Sequence, residues 1–399
     1  MISTRTPISA VLVIIALFIS SICNADVRDQ AKRIHDRLTG VPPSAETLDD
    51  MTALIASGDP LAAANLAVEH PDFYDVTLKV LVAPWTNEEQ SKFVSLNDYS
   101  ATIIGTIRDN YDFREIFYAD RTYIGKGSLG LSAYATNNNE HYEQLDALKI
   151  PLKDNLQEVT QSSVTGLPPD ATAGVITSRA AAKAYFIGGT NRAMFRFMVL
   201  NHLCNDLEQY KDNTLPADRI RQDISRSPGG DSRLYLNNCL GCHTGMDPMT
   251  QAFAYYDYAY DSNNDPDGLQ GALVYNDVSS GESRVQAKYH INATTFPLGY
   301  ITPDDRWDNY WRQGKNKVIG WSSTLPGAGN GAKSLGMELS HTEAFASCQV
   351  KHAFETVCLR APSNSADRNL VKEIADELTT SSFNLKTAFT KSAVYCMGE

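Results

Sequence analysis

The chain has 399 residues, with 35 lysines and arginines against 47 aspartates and glutamates, for a formal net charge of −12. An acidic balance of that size argues against nucleic acid and anionic lipid as partners and suits a basic or neutral one. With 43% hydrophobic residues the composition excludes a disordered chain and leaves room for a substantial core in one or two closely associated domains.

The first 25 residues read as a secretory leader. Arg5 precedes an apolar run from Ile8 to Ile19, and Cys23-Asn24-Ala25 puts small residues where signal cleavage needs them, so the cut is expected after Ala25. The run is short for a membrane span. Ile22 is too large for lipoprotein processing at Cys23. No other segment is long and apolar enough to cross a bilayer, so the mature chain is expected to be soluble, in the periplasm or secreted.

From residue 26 the pattern is helical. Val27, Ala31, Ile34 and Leu38 recur on one face until Gly40; Leu48, Met51, Leu54 and Ile55 repeat the spacing; Asp59-Pro60 supplies a cap and first-turn proline for Leu61 to Val68. His35 and His70 in this region read as surface or capping histidines. Phe73 to Val82 predicts a buried helix, and Asp98 to Arg108 and Asp112 to Tyr118 continue the trend. Residues 125–170 read as loop with short elements.

Helical spacing returns over Ala171 to Ala184 and Asn191 to Asn205, where Met194, Phe195, Met198 and Leu203 are core positions or, alternatively, a cofactor wall. A short helix is expected from Ala217 to Ile224, ending before Pro228-Gly229-Gly230.

Cys239-Leu240-Gly241-Cys242-His243 is the motif with chemistry. Two thiols three residues apart share a helical turn and can add across the two vinyl groups of one haem, with the adjacent imidazole ligating iron. A redox dithiol wants a preceding strand and a zinc site wants a second ligand pair, and neither is evident. The motif predicts one covalent haem c held by Cys239, Cys242 and His243.

Tyr255 to Gly320 is rich in Tyr, Asn, Asp and Gly, with Trp307, Trp311 and Trp321 in or just after it, and reads as an irregular insertion covering something apolar. Asp261, Asn263, Asp265 and Asp267 alternate as calcium ligands do, but the glycine and glutamate of an EF-hand loop are missing, which favours an Asx-rich turn over a calcium site. Ser340-x-x-Glu343 predicts a capping box before a helix carrying Phe345, Cys348, Phe354 and Val357; Leu370 to Leu378 and Leu385 to Tyr395 complete three closing helices.

The run Asp247-Pro248, Ala252-Phe253 and Tyr256-Asp257 after the motif resembles the segment following haem attachment in the planctomycete-cytochrome-type secreted proteins. Thr250 and Ala254 depart from that pattern at its glycine and acidic positions. Ala173 to Arg192 and Phe345 to Gly398 resemble the family's lead-in and closing helices. The resemblance implies architecture more than activity.

The expected fold is therefore mainly α, a multi-helix protein with a c-type haem module and an irregular insertion. Its parts are a leader at 1–25, a helical region at 26–225, the haem module at 226–335 and a closing region at 336–399. If residues 343–360 form one helix, Cys348 and Cys358 lie about 15 Å apart and cannot pair. Cys204 and Cys396 then each bond one of them, in an oxidising compartment.

His243 is the expected proximal iron ligand. Met337 is the favoured distal candidate and His290 its rival, with His202, His341 and His352 behind. The expected function is single-electron transfer with a redox partner protein. The alternatives are a peroxidase-type haem enzyme with an open iron position, or a haem-stabilised binding subunit of an envelope complex.

Overall fold

A computed structural model describes residues 26–222, 231–277, 283–291, 293–294 and 296–398. The expected leader and the Pro228-Gly229-Gly230 break lie outside these.

The helices that frame the site and the body around it, in chain order, are α1 (Val27–Thr39), α2 (Ala45–Ala56), α3 (Pro60–Val68), α4 (Asp98–Arg108), α5 (Arg179–Tyr185), α6 (Arg192–His202), α7 (Ser232–Asn238), α8 (Leu240–Thr250), α9 (Gly331–Ser340), α10 (Glu343–Cys358), α11 (Ser365–Thr380) and α12 (Lys386–Tyr395). Three antiparallel pairs make the only sheets among the described residues: β1 (Thr122–Gly125) with β2 (Leu156–Val159), β3 (Tyr256–Ala259) with β4 (Ala272–Tyr275), and β5 (Arg306–Asp308) with β6 (Ala328–Asn330). The protein is mainly helical. None of the described helices is long and apolar enough to cross a membrane.

Local signals start and stop the first helices. Asp26, Ser44 and Asp59 accept hydrogen bonds from Asp29 N, Thr47 N and Ala62 N, and Gly40 ends α1 in the left-handed region. The buried stripe of α1, Ala31, Ile34 and Leu38, packs on α2, α3 and α12. α10 lies against α11 and α12, so the two ends of the chain form one body. Arg33 and Arg37 donate to the carbonyls of Met397 and Cys396 at 3.0 and 2.9 Å.

One disulfide staples this body to the segment after α6 and a second closes it internally, between the ends of α10 and α12. Cys204 pairs with Cys348 across a Cα separation of 5.4 Å, and Cys358 with Cys396 across 5.6 Å. Cys348 and Cys358 share α10 and do not meet, as helix geometry requires.

Several details differ from the expectation. The helix at residues 217–224 does not form over its described part. Instead Gln222 N donates to Tyr300 O and Tyr300 N to Ile220 O, so the backbone bonds cross to another segment rather than back along a helix. Ser340 does not cap α10. It closes α9, its hydroxyl donating to Met337 O, while Thr342 accepts from Phe345 N. A capping box does form, at Asn364 and Asp367 before α11. His35 is fully buried rather than exposed, and its Nδ1 bonds Val41 O just beyond the end of α1. Phe73–Leu78 is a π-helical turn ahead of a short α-helix, Lys79–Val82.

The irregular insertion does cover an apolar interior: Trp307 and Trp311 are among the largest fully buried side chains. Its Asp-rich loop is built from Asx turns, Asp261 accepting from Asn263 N and Asn264 N, and Asp265 from Leu269 N and Gln270 N.

Candidate cofactor-attachment site

Cys239 joins α7 to α8. Its N–H donates to Tyr235 O at 2.9 Å, and its carbonyl accepts from His243 N at 3.3 Å, so the two helices run on almost as one. Cys239, Cys242, His243 and Met246 then follow helical spacing along a single face. Both cysteines are free thiols.

The opposite face is clamped. Gly241 O accepts from Asp212 N at 2.8 Å, and the Thr244 hydroxyl donates to Asp212 O at 2.9 Å. A Cβ on Gly241 would occupy the space of the Asn213 and Lys211 side chains, and one on Gly245 would sit inside the indole of Trp311. Glycine at both positions is what lets a loop and a buried tryptophan close on the helix. α8 has no side-chain N-cap and carries Pro248 in its interior, so these outside contacts hold it.

His243 is partly exposed, and its Nδ1 lies 2.9 Å from Asp247 Oδ1. The Tyr235 ring meets the imidazole edge-on at 5.1 Å. Asp247 is fully buried and is gripped by Arg192, whose Nε and Nη2 reach its two oxygens at 2.8 and 3.0 Å. Burial pushes the Asp247 carboxyl up, but Arg192 and His243 outweigh it and hold the group well below the usual carboxylate range. An ionised carboxylate only accepts, so Nδ1 carries a proton in this contact, and in the neutral imidazole Nε2 is then the nitrogen with the lone pair.

Cys239, Cys242 and His243 are absent from the donor sets that converge on one point. Among the described residues one trio gathers within 4.8 Å: Cys204, Cys348 and His352. That trio is a disulfide with a neighbour. Its sulfurs are bonded to each other, and His352 Nε2, the nitrogen that faces them, donates to Asn201 O at 2.9 Å, so neither a thiolate nor a lone pair on that nitrogen is offered. Cys239, Cys242 and His243 are splayed along one helix face, which suits a macrocycle that meets each donor at a different atom and does not suit zinc. A reactive dithiol fits poorly too, because burial pushes the Cys242 thiol up against the pull of Lys211.

No family model matches the chain. No curated protein and no solved structure matches it either. The resemblance therefore rests on the quoted residues alone, those after His243 and the segments Ala173 to Arg192 and Phe345 to Gly398.

His243 and Met246 open on a groove of about 350 Å³ between α8 and α6, walled by Arg192, Arg196, Phe197 and Leu207 and bounded by Glu88. Glu88 also borders a larger cleft of about 910 Å³, where the ring of Phe93 stands 99% exposed among Glu89, Glu140 and Glu143.

The expected distal residues lie elsewhere. Met337 is on α9, its carbonyl receiving His341 N and His341 Nδ1, and α9 packs on the 113–117 turn. His290 ends a short turn whose Tyr289 is buried near Thr250 O. Neither residue lines the groove. His202 is a core histidine, fully buried, with Nε2 2.7 Å from the Tyr99 hydroxyl and its ring against Trp85 and Phe117. Burial and nearby His352 hold it well below the ordinary histidine value.

Asp247, Arg192 and Trp311 were not singled out from sequence as parts of the site. For Asp247 the signal was present, since it follows His243 by four residues.

Proposed function

We propose that this chain is an exported protein that carries one covalent haem c through Cys239 and Cys242, with His243 as iron ligand, and passes single electrons to a protein partner. The observation that carries this reading is the donor set. Two unpaired, half-buried thiols and an imidazole whose Nδ1 is held by Asp247 follow one face of the turn that runs into α8, and the opposite face of that helix is clamped at Gly241 and Gly245.

Bound haem c supplies a one-electron ferric–ferrous couple. The chain's own residues orient and shield. Asp247 fixes the imidazole, the buried indole of Trp311 braces α8, and Phe197 and Met246 give the groove apolar walls that lower the local dielectric. The adjoining cleft, with glutamates around an exposed aromatic ring, suits a basic redox partner. Residues 1–25 support export to the periplasm or beyond, where two disulfides persist.

A second reading, a peroxidase-type enzyme, draws on Asp247. A carboxylate behind the proximal imidazole raises its basicity, which suits an iron with an open position.

Expression with the leader in a host that matures haem c tests both. The expected product lacks residues 1–25, gains one haem by intact mass and keeps its colour through acid-acetone extraction. A reduced spectrum unmoved by carbon monoxide supports the carrier, and a rapid spectral change on adding peroxide supports the enzyme. A product with no covalent haem overturns both.

A further inference from the structure

The imidazole of His243 is held by more than its place in the motif. Asp247 lies one helical turn on, fully buried, with Oδ1 shared between His243 Nδ1 at 2.9 Å and Arg192 Nε at 2.8 Å, and Oδ2 taken by Arg192 Nη2 at 3.0 Å. The guanidinium fork and the carboxylate are both planar, so two parallel bonds fix the Asp247 plane against rotation. α6 supplies Arg192 and α8 supplies the other two residues, so the packing of two helices determines where the imidazole points.

We propose that Asp247, clamped by Arg192, is the positioning residue that sets the tautomer, orientation and donor strength of His243 toward iron. The proposal rests on the haem reading above. A carboxylate partner on the second ring nitrogen makes an imidazole a stronger donor than a carbonyl partner does, and stronger donation stabilises the ferric over the ferrous state. The pair therefore biases the protein toward a low potential, whichever group occupies the far side of the iron. It also accounts for a buried charge one turn behind the motif, a costly feature unless paired and used.

The test uses the matured holoprotein with Asp247→Asn and Asp247→Glu, read by spectroelectrochemical titration and by the electron paramagnetic resonance g-values of the ferric form. Asp247→Asn is expected to favour the ferrous state about tenfold, about 59 mV for a one-electron couple, and to change the g-values. Asp247→Glu keeps the charge but displaces the oxygens, and is expected to change the g-values as well. Wild-type potential and g-values in Asp247→Asn would overturn the proposal. So would a potential change in Asp247→Asn alone with wild-type g-values in both, since that is a charge acting at a distance. Should neither variant accumulate, Arg192→Gln decides: it releases the clamp without touching Asp247, and unchanged g-values there overturn the proposal. Absence of haem from the wild-type protein is a different failure, that of the haem reading.

Discussion

In the body formed by α1–α3 and α10–α12, five of the six helices carry a side-chain N-cap of their own and bury an apolar stripe against neighbours. Around α8 the helix has no such cap, contains a proline, and is held by what distant segments bring to it: Trp311 from the insertion, Asp212 from the preceding loop, Arg192 from α6. The difference teaches that the outer body is specified locally and α8 by tertiary contacts. Damage to the first should be graded and additive, and damage to the second should cost function before it costs the fold.

The largest effect expected on the outer body comes from its disulfides. Cys204→Ser with Cys348→Ser opens a link across 144 residues and should cost about 3 to 5 kcal/mol in urea unfolding, with covalent haem still present on the folded fraction. Next is the response to acid. Burial lowers His352 to about 4, opposed by its bond to Asn201 and aided by Lys351, so the imidazole stays neutral in the fold. The unfolded chain takes up that proton near the ordinary value of about 6.5, so the full contribution is present above that pH and is lost as pH falls toward 4. The loss should total about 3 kcal/mol, at about 1.4 kcal/mol per pH unit. Urea melts from pH 7 to 4.5 check this, and His352→Gln should flatten the slope.

Gly245→Ala attacks the other region. Its methyl group would enter a fully buried indole, at a cost of about 1 to 3 kcal/mol. Haem content per folded molecule, by absorbance against intact mass, should fall by more than in any outer-body variant of equal stability. The smallest change is Thr342→Ala, which removes the hydroxyl that accepts from Phe345 N and should cost about 1 kcal/mol in thermal unfolding with haem content unaltered. Equal haem loss in both variants would erase the distinction between the regions.

What could be read from the amino acids follows the same division. Helices α1 to α3 and α10 to α12 were legible because apolar spacing, Gly40, Asp59-Pro60 and the cysteine separation on α10 act within a few residues of one another. The capping residue of α10 was misassigned because Ser340 and Thr342 both precede Glu343, and only the course of α9 decides between them. The turn at 217–222 was read as a helix because its partner, Tyr300, is remote in sequence. Cys239, Cys242 and His243 were legible as a set because spacing alone puts them on one face. The grip of Arg192 on Asp247 and the fit of Trp311 against Gly245 were not, since both depend on how separate elements pack.

The meeting of α1 with α12, through Arg33 and Arg37 onto the last carbonyls, sets an order of assembly. A chain exported from its N-terminus delivers α1 first and the strand of residues that completes its packing last. If the chain is exported and takes up haem as proposed, residues 239–243 emerge while the outer body still waits for its final helix, so ligation would act on an unsealed polypeptide and closure would follow it. Joining the two ends by a short peptide and reopening the chain within the exposed run Asp261 to Asn264 would reverse that schedule while leaving the finished contacts in place.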